Sequence, residues 1–84
     1  MLILCDFARL GSADAVYDYL RQELSLPPYF GRNLDALHDC LTDIGAPTRL
    51  ILTGAEAPFA RRFLPVFRDA ARENRYLAVE IHRE

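Results

Sequence analysis

Apolar positions along this chain come in two textures: short continuous runs, and longer stretches in which they recur with helical period. Leu2-Ile3-Leu4-Cys5 is a short apolar run of the kind found in a strand covered on both faces. Ser12 then stands as an N-cap, with Asp14 in the first turn, where the helix dipole favours a negative charge. Val16, Leu20 and Leu24 recur every four residues with Tyr17 alongside, which predicts a helix that stops before Pro27-Pro28. Asn33 caps a second helix running to about Asp43, and Gly45 and Pro47 supply its stop signals. Arg49 to Thr53 reads as a second buried strand, followed by a turn at Gly54 to Ala57. Pro58 suits the first position of a third helix, with Phe59, Phe63, Val66, Phe67 and Ala70 on one side and arginines on the other. Pro65 falls inside that helix and predicts a kink or a break. Tyr76 to Ile81 is the last strand. Strands separated by helices need crossover connections and therefore pair in parallel. The expectation is one α/β domain over residues 1–84, in the order β-α-α-β-α-β, with helices packed on a three-stranded parallel sheet.

The second helix carries more than a fold signal. Projected at about 100° per residue, Leu34, Leu37, Leu41 and Ile44 share one side and must face the core. Asp35, Asp39, Thr42 and Asp43 fall on the other, with His38 at one boundary and Cys40 at the opposite one. No lysine or arginine inside the helix sits four residues from any of these aspartates. Like charges at that spacing each cost about 0.2–0.5 kcal/mol, and aspartate is a poor helix former. A solvated polar face would explain such a stripe on its own. The preceding loop argues otherwise, because Tyr29 and Phe30 sit between Pro28 and Gly31 on a connection too short to bury both rings. Aromatics beside an uncompensated acidic stripe match an interface hot spot that faces a basic partner.

Composition narrows the classes. With 51% hydrophobic and 26% charged residues the chain is ordinary globular material, and a net charge of −2 excludes a broadly basic nucleic-acid binder. Two cysteines, Cys5 and Cys40, are too few for a disulfide framework. No run approaches the ~20 apolar residues of a membrane span, and the chain opens without a basic leader, so the expected location is cytoplasmic.

The segment LSLPPYFGRNLDALHDCLTDI, Leu24 to Ile44, closely resembles the signature segment of the barstar family, intracellular inhibitors of barnase-like ribonucleases. The match spans the Leu-Pro before the aromatic pair, the glycine, Asn-Leu-Asp-Ala-Leu, and Asp-Cys-Leu-Thr; a weaker likeness covers the whole chain, including VFRDA at Val66 to Ala70. The resemblance implies that this helix and loop plug the active site of a small basic, extracellular-type ribonuclease in a one-to-one complex. Asp39 would stand in for the scissile phosphate, Asp35 would meet a second basic group, and Tyr29 would stack on the catalytic histidine. Phe30 would sit beside it, Gly31 would allow close backbone approach, and Asn33 and Thr42 would add polar contacts. Asp43 lies on the same stripe, and Asp69 and Glu73 would extend the negative surface from the last helix. His38 replaces a tryptophan, Phe30 a tyrosine, and Asp43-Ile44 a Gly-Trp pair of the founding member; the short helix after the second strand reads as trimmed to a turn. His38, once protonated, would oppose a basic cleft.

Rival readings are weaker. His38, Asp39 and Cys40 are adjacent helix positions that do not face one another, so they form no nucleophile–base pair and no enzyme is expected. Cys5, His38, Cys40 and His82 lack the paired spacing of a zinc site, so no metal or other cofactor is expected. Neither nucleic acid, membrane nor an obligate homo-oligomer is implied. The alternative is a barstar-like module for a basic partner that is not a ribonuclease.

Overall fold

The computed structural model describes residues 1–82; the last two positions of the expected 1–84 domain lie outside them. Three strands, β1 (Leu2–Asp6), β2 (Thr48–Thr53) and β3 (Leu77–Ile81), form a parallel sheet in the order β1-β2-β3. Four helices, α1 (Phe7–Leu10), α2 (Ala13–Glu23), α3 (Leu34–Thr42) and α4 (Phe63–Glu73), complete the fold, with a 3₁₀ turn at Pro58–Arg62 before α4. The α/β class, the parallel pairing and the three-strand sheet are as expected.

Register sets the core. Ile3 pairs with Leu50 and Leu50 with Val79, while Cys5 pairs with Leu52 and Leu52 with Ile81. These residues share one sheet face because side chains alternate along a strand. Against that face lie Phe7, Val16, Leu20, Leu37, Leu41, Phe63, Phe67 and Ala70, all essentially buried. Phe7, Phe63 and Phe67 have ring centroids 5.7–6.5 Å apart, within the range of favourable aromatic packing.

Four expectations are corrected. β1 is not covered on both faces: Leu2 and Leu4 are each 58% exposed, because all the buried packing lies on the other side of a sheet only three strands wide. Phe7–Leu10 forms an additional helical turn, capped by the Asp6 carboxylate accepting from the Ala8 N–H at 3.1 Å and ended by Gly11 at φ 81°. Residues 58–73 are not one helix, since the 3₁₀ turn precedes α4, while the stretch 54–57 directly after β2 is the turn expected there. Pro65 kinks nothing because it is the third residue of α4, where the backbone N–H has no helical acceptor to lose.

Gly54 has φ 66°, and a Cβ there would approach the Ala8 backbone nitrogen to 2.5 Å. Its lack of a side chain lets the end of β2 pass close to the start of α1.

Candidate functional site

Helix α3 begins where the sequence places it. The Asn33 Oδ1 accepts from the Ala36 N–H at 2.8 Å, and the Asn33 amide also donates to the Gly31 carbonyl. One side chain thus caps the helix and fixes the turn leading into it. Leu37 and Leu41 are buried and anchor the inner face. Asp35, Asp39 and Asp43 are exposed on the outer face, and among the described residues neither Asp35 nor Asp43 forms an ion pair. Thr42 is half-buried and its hydroxyl donates to the Asp39 carbonyl at 2.9 Å.

The two aromatics of the loop part company. Tyr29 is 86% exposed, whereas Phe30 is 7% exposed and packs against Tyr17 with ring centroids 6.2 Å apart. Phe30 is therefore a core residue and not a side-chain contact for a partner, a correction to its expected role. Gly31 has an ordinary backbone conformation; a Cβ on it would meet Asn33 Nδ2 at 3.4 Å and the Ala36 Cβ at 3.5 Å.

Arg32 was not among the expected site residues, yet it ties the loop down. Its guanidinium lies 3.2 Å from Asp18 Oδ1 and 3.5 Å from Asp14 Oδ1, and donates to the Asp14 carbonyl at 3.2 Å. The signal was available as two aspartates four apart on α2 and one arginine in the loop. This pairing keeps the positive charge of Arg32 on α2.

Helix α4 packs beside α3 and brings its acids to the edge of the stripe. His38, Asp69, Arg72 and Glu73 line an open notch of about 330 Å³ between the two helices. Neither α4 acid stands alone there. Asp69 accepts from Arg72 at 3.0 Å, and Glu73 Oε2 lies 2.5 Å from His38 Nε2. His38 also places Nδ1 3.9 Å from Asp39 Oδ1.

The two thiols differ in setting. Burial, with Asp6 adding to it, pushes the Cys5 thiol up to about 12. Burial raises the Cys40 thiol too, helped by Asp43 and Asp39. A thiol held protonated is a poor nucleophile and a poor metal ligand. No group of three or more histidine, cysteine or acidic residues able to hold a metal ion occurs among the described residues. No helix among them is long and apolar enough to cross a membrane.

The arrangement is an exposed acidic helix face beside one outward aromatic, with the cation nearest the loop paired elsewhere. Such a surface can accept hydrogen bonds from clustered guanidinium, ammonium or imidazolium groups. A family model described as "Barstar (barnase inhibitor)" matches residues 1–82. The protein named "Putative ribonuclease inhibitor YrdF" of Bacillus subtilis (strain 168) is 38% identical over 68 residues, covering 80% of this chain and 72% of that protein.

Proposed function

The chain belongs to the barstar family, and from that membership we propose that it inhibits a small basic ribonuclease of the barnase type by filling its active site with α3 and the Tyr29 loop. The observation that supports this reading is the exposure of Tyr29 together with Asp35 and Asp39, with no arginine or lysine of the described chain paired to either acid. A ribonuclease active site holds preformed cationic donors for RNA phosphates, and a carboxylate can accept from the same donors. Asp39, central on the stripe, takes the place of the scissile phosphate, and Asp35 meets a neighbouring cation. Tyr29 offers a flat ring to a catalytic imidazole, and Thr42 and Asp43 lie at the margin. The complex is one-to-one, and inhibition is exclusion: RNA and inhibitor need the same donors. No bond is made or broken by the inhibitor.

The α4 acids contribute differently from simple free charges. Asp69 shares its charge with Arg72, so a partner meets a neutralised pair there. Glu73 faces both the notch and His38.

The test is direct. Purified protein in molar excess over a secreted guanyl-specific bacterial ribonuclease should abolish cleavage of an RNA substrate at neutral pH. The stoichiometric point should fall at one inhibitor per enzyme. If every guanyl-specific ribonuclease tested cleaves at an unchanged rate in that excess, the proposal fails.

A further inference from the structure

His38 sits on α3 between the acidic stripe and α4, and its two ring nitrogens face different carboxylates. Nε2 is 2.5 Å from Glu73 Oε2, and Nδ1 is 3.9 Å from Asp39 Oδ1. From α4 the ring also meets the notch formed with Asp69 and Arg72, which pair with each other. On its own helix Asp35 and Thr42 lie three residues before and four residues after it. A neutral imidazole has one N–H and one lone pair. A ring donating from Nε2 to Glu73 thus turns its Nδ1 lone pair toward the Asp39 carboxylate. Protonation places an N–H on both nitrogens and a full positive charge between the two acids. Histidine is the side chain whose charge changes in the mildly acidic range.

Resting on the ribonuclease-inhibitor reading, we propose that His38 is a built-in competitor for the partner's site. Protonated, it clamps Glu73 and Asp39 from within and withdraws both from an incoming cationic cleft. Uncharged, it leaves Asp39 free to accept from the partner. The effect adds to plain repulsion, because the imidazolium hydrogen-bonds Glu73 and stands at ion-pair distance, 3.9 Å, from the Asp39 carboxylate. The acidic surface also loses one unit of net negative charge, which reduces long-range steering toward a basic surface. Binding and protonation are reciprocally linked, so an inhibitor that binds best with neutral His38 must release a proton on binding in mild acid. The protein is then a pH-dependent inhibitor: tight near neutrality and looser in acid.

The experiment compares the wild type with His38→Gln and Glu73→Gln against a secreted guanyl-specific bacterial ribonuclease. Glutamine at position 38 keeps an amide donor for Glu73 but takes up no proton. Inhibition constants are measured at about pH 7.5 and about pH 5.5, and binding heats near pH 6 in two buffers of different ionisation enthalpy. Titration of the ribonuclease's own groups is common to all three inhibitors and cancels in the comparison. Wild type should lose about tenfold more affinity than His38→Gln across the interval, and should release a proton that His38→Gln does not. Glu73→Gln should lie between them. Parallel pH profiles and equal proton release for wild type and His38→Gln overturn the inference while leaving the inhibitor reading intact. Failure of the wild type to inhibit at either pH overturns the inhibitor reading and this inference with it.

Discussion

The side-chain amide of Asn74, just past the end of α4, donates to the backbone carbonyl of Leu41 in α3 at 2.9 Å from inside the core. The same nitrogen reaches the Ile44 carbonyl, also at 2.9 Å, and Asn74 Oδ1 accepts from the Tyr76 N–H as the chain enters β3. One buried amide therefore bridges the last turn of α3, at Leu41, and the chain two residues beyond its end, at Ile44. It also joins the acidic helix to the start of a strand.

Asn74→Ala should remove a buried donor shared by the Leu41 and Ile44 carbonyls and destabilise the protein by about 1–3 kcal/mol. Asn74→Asp should be worse, because it sets an acceptor against two acceptors. Urea denaturation at neutral pH measures both. A midpoint for Asn74→Ala indistinguishable from wild type would mean that water replaces the amide.

Adjacent aromatics should separate stability from binding. Phe30→Ala removes a buried ring packed on Tyr17 and should cost about 3 kcal/mol or more. Tyr29→Ala removes an exposed ring and should change stability by no more than about 0.5 kcal/mol. The same change should weaken ribonuclease binding by roughly 30-fold, if the ring is a hot spot worth about 2 kcal/mol. Thermal melts and inhibition assays on both variants give the answer; comparable destabilisation by the two substitutions would contradict the burial pattern.

Asp39 should be a liability to the free protein and an asset to the complex. It is flanked on its helix face by Asp35 and Asp43, and its carboxylate is largely exposed. Asp39→Ala relieves like-charge repulsion and introduces a better helix former, for a gain of about 0.5–1 kcal/mol. The substitution should also weaken ribonuclease binding at least ~30-fold. A variant less stable than wild type that still inhibits tightly would show a structural aspartate and remove the proposed phosphate mimicry.

Alkaline pH should act through Cys5. Folding holds this thiol up to about 12, whereas an exposed thiol titrates near 8.5. Above about pH 8.5 the unfolded chain gives up a proton that the folded chain keeps, so this contribution is whole below that pH and is lost as pH rises toward 12. Wild type should therefore lose more stability than Cys5→Ala between about pH 7.5 and about pH 10.5. Urea midpoints that fall in parallel for the two proteins would rule the effect out.

The sequence by itself determined the elements with strong local causes. Ser12 and Asn33 are side chains that cap helices without help from the rest of the fold, and each does so here. The period of Leu37 and Leu41 against Asp35 and Asp39 sets which side of α3 is buried, since helical geometry leaves no other choice. Parallel pairing followed from the crossovers between strands. Only the tertiary structure decided which of two neighbouring aromatics went inward, because that depends on Tyr17 lying within reach of Phe30. It also decided that the sheet has one open face: an apolar run such as Leu2 to Cys5 reads the same whether one side or both are covered, and the number of packed layers is a global property. Pro65 was harmless because α4 starts two residues before it, which places its missing N–H in the first turn. The contacts of His38 with Glu73 and of Asn74 with Leu41 join residues more than thirty positions apart, and local pattern carries no information about such pairs.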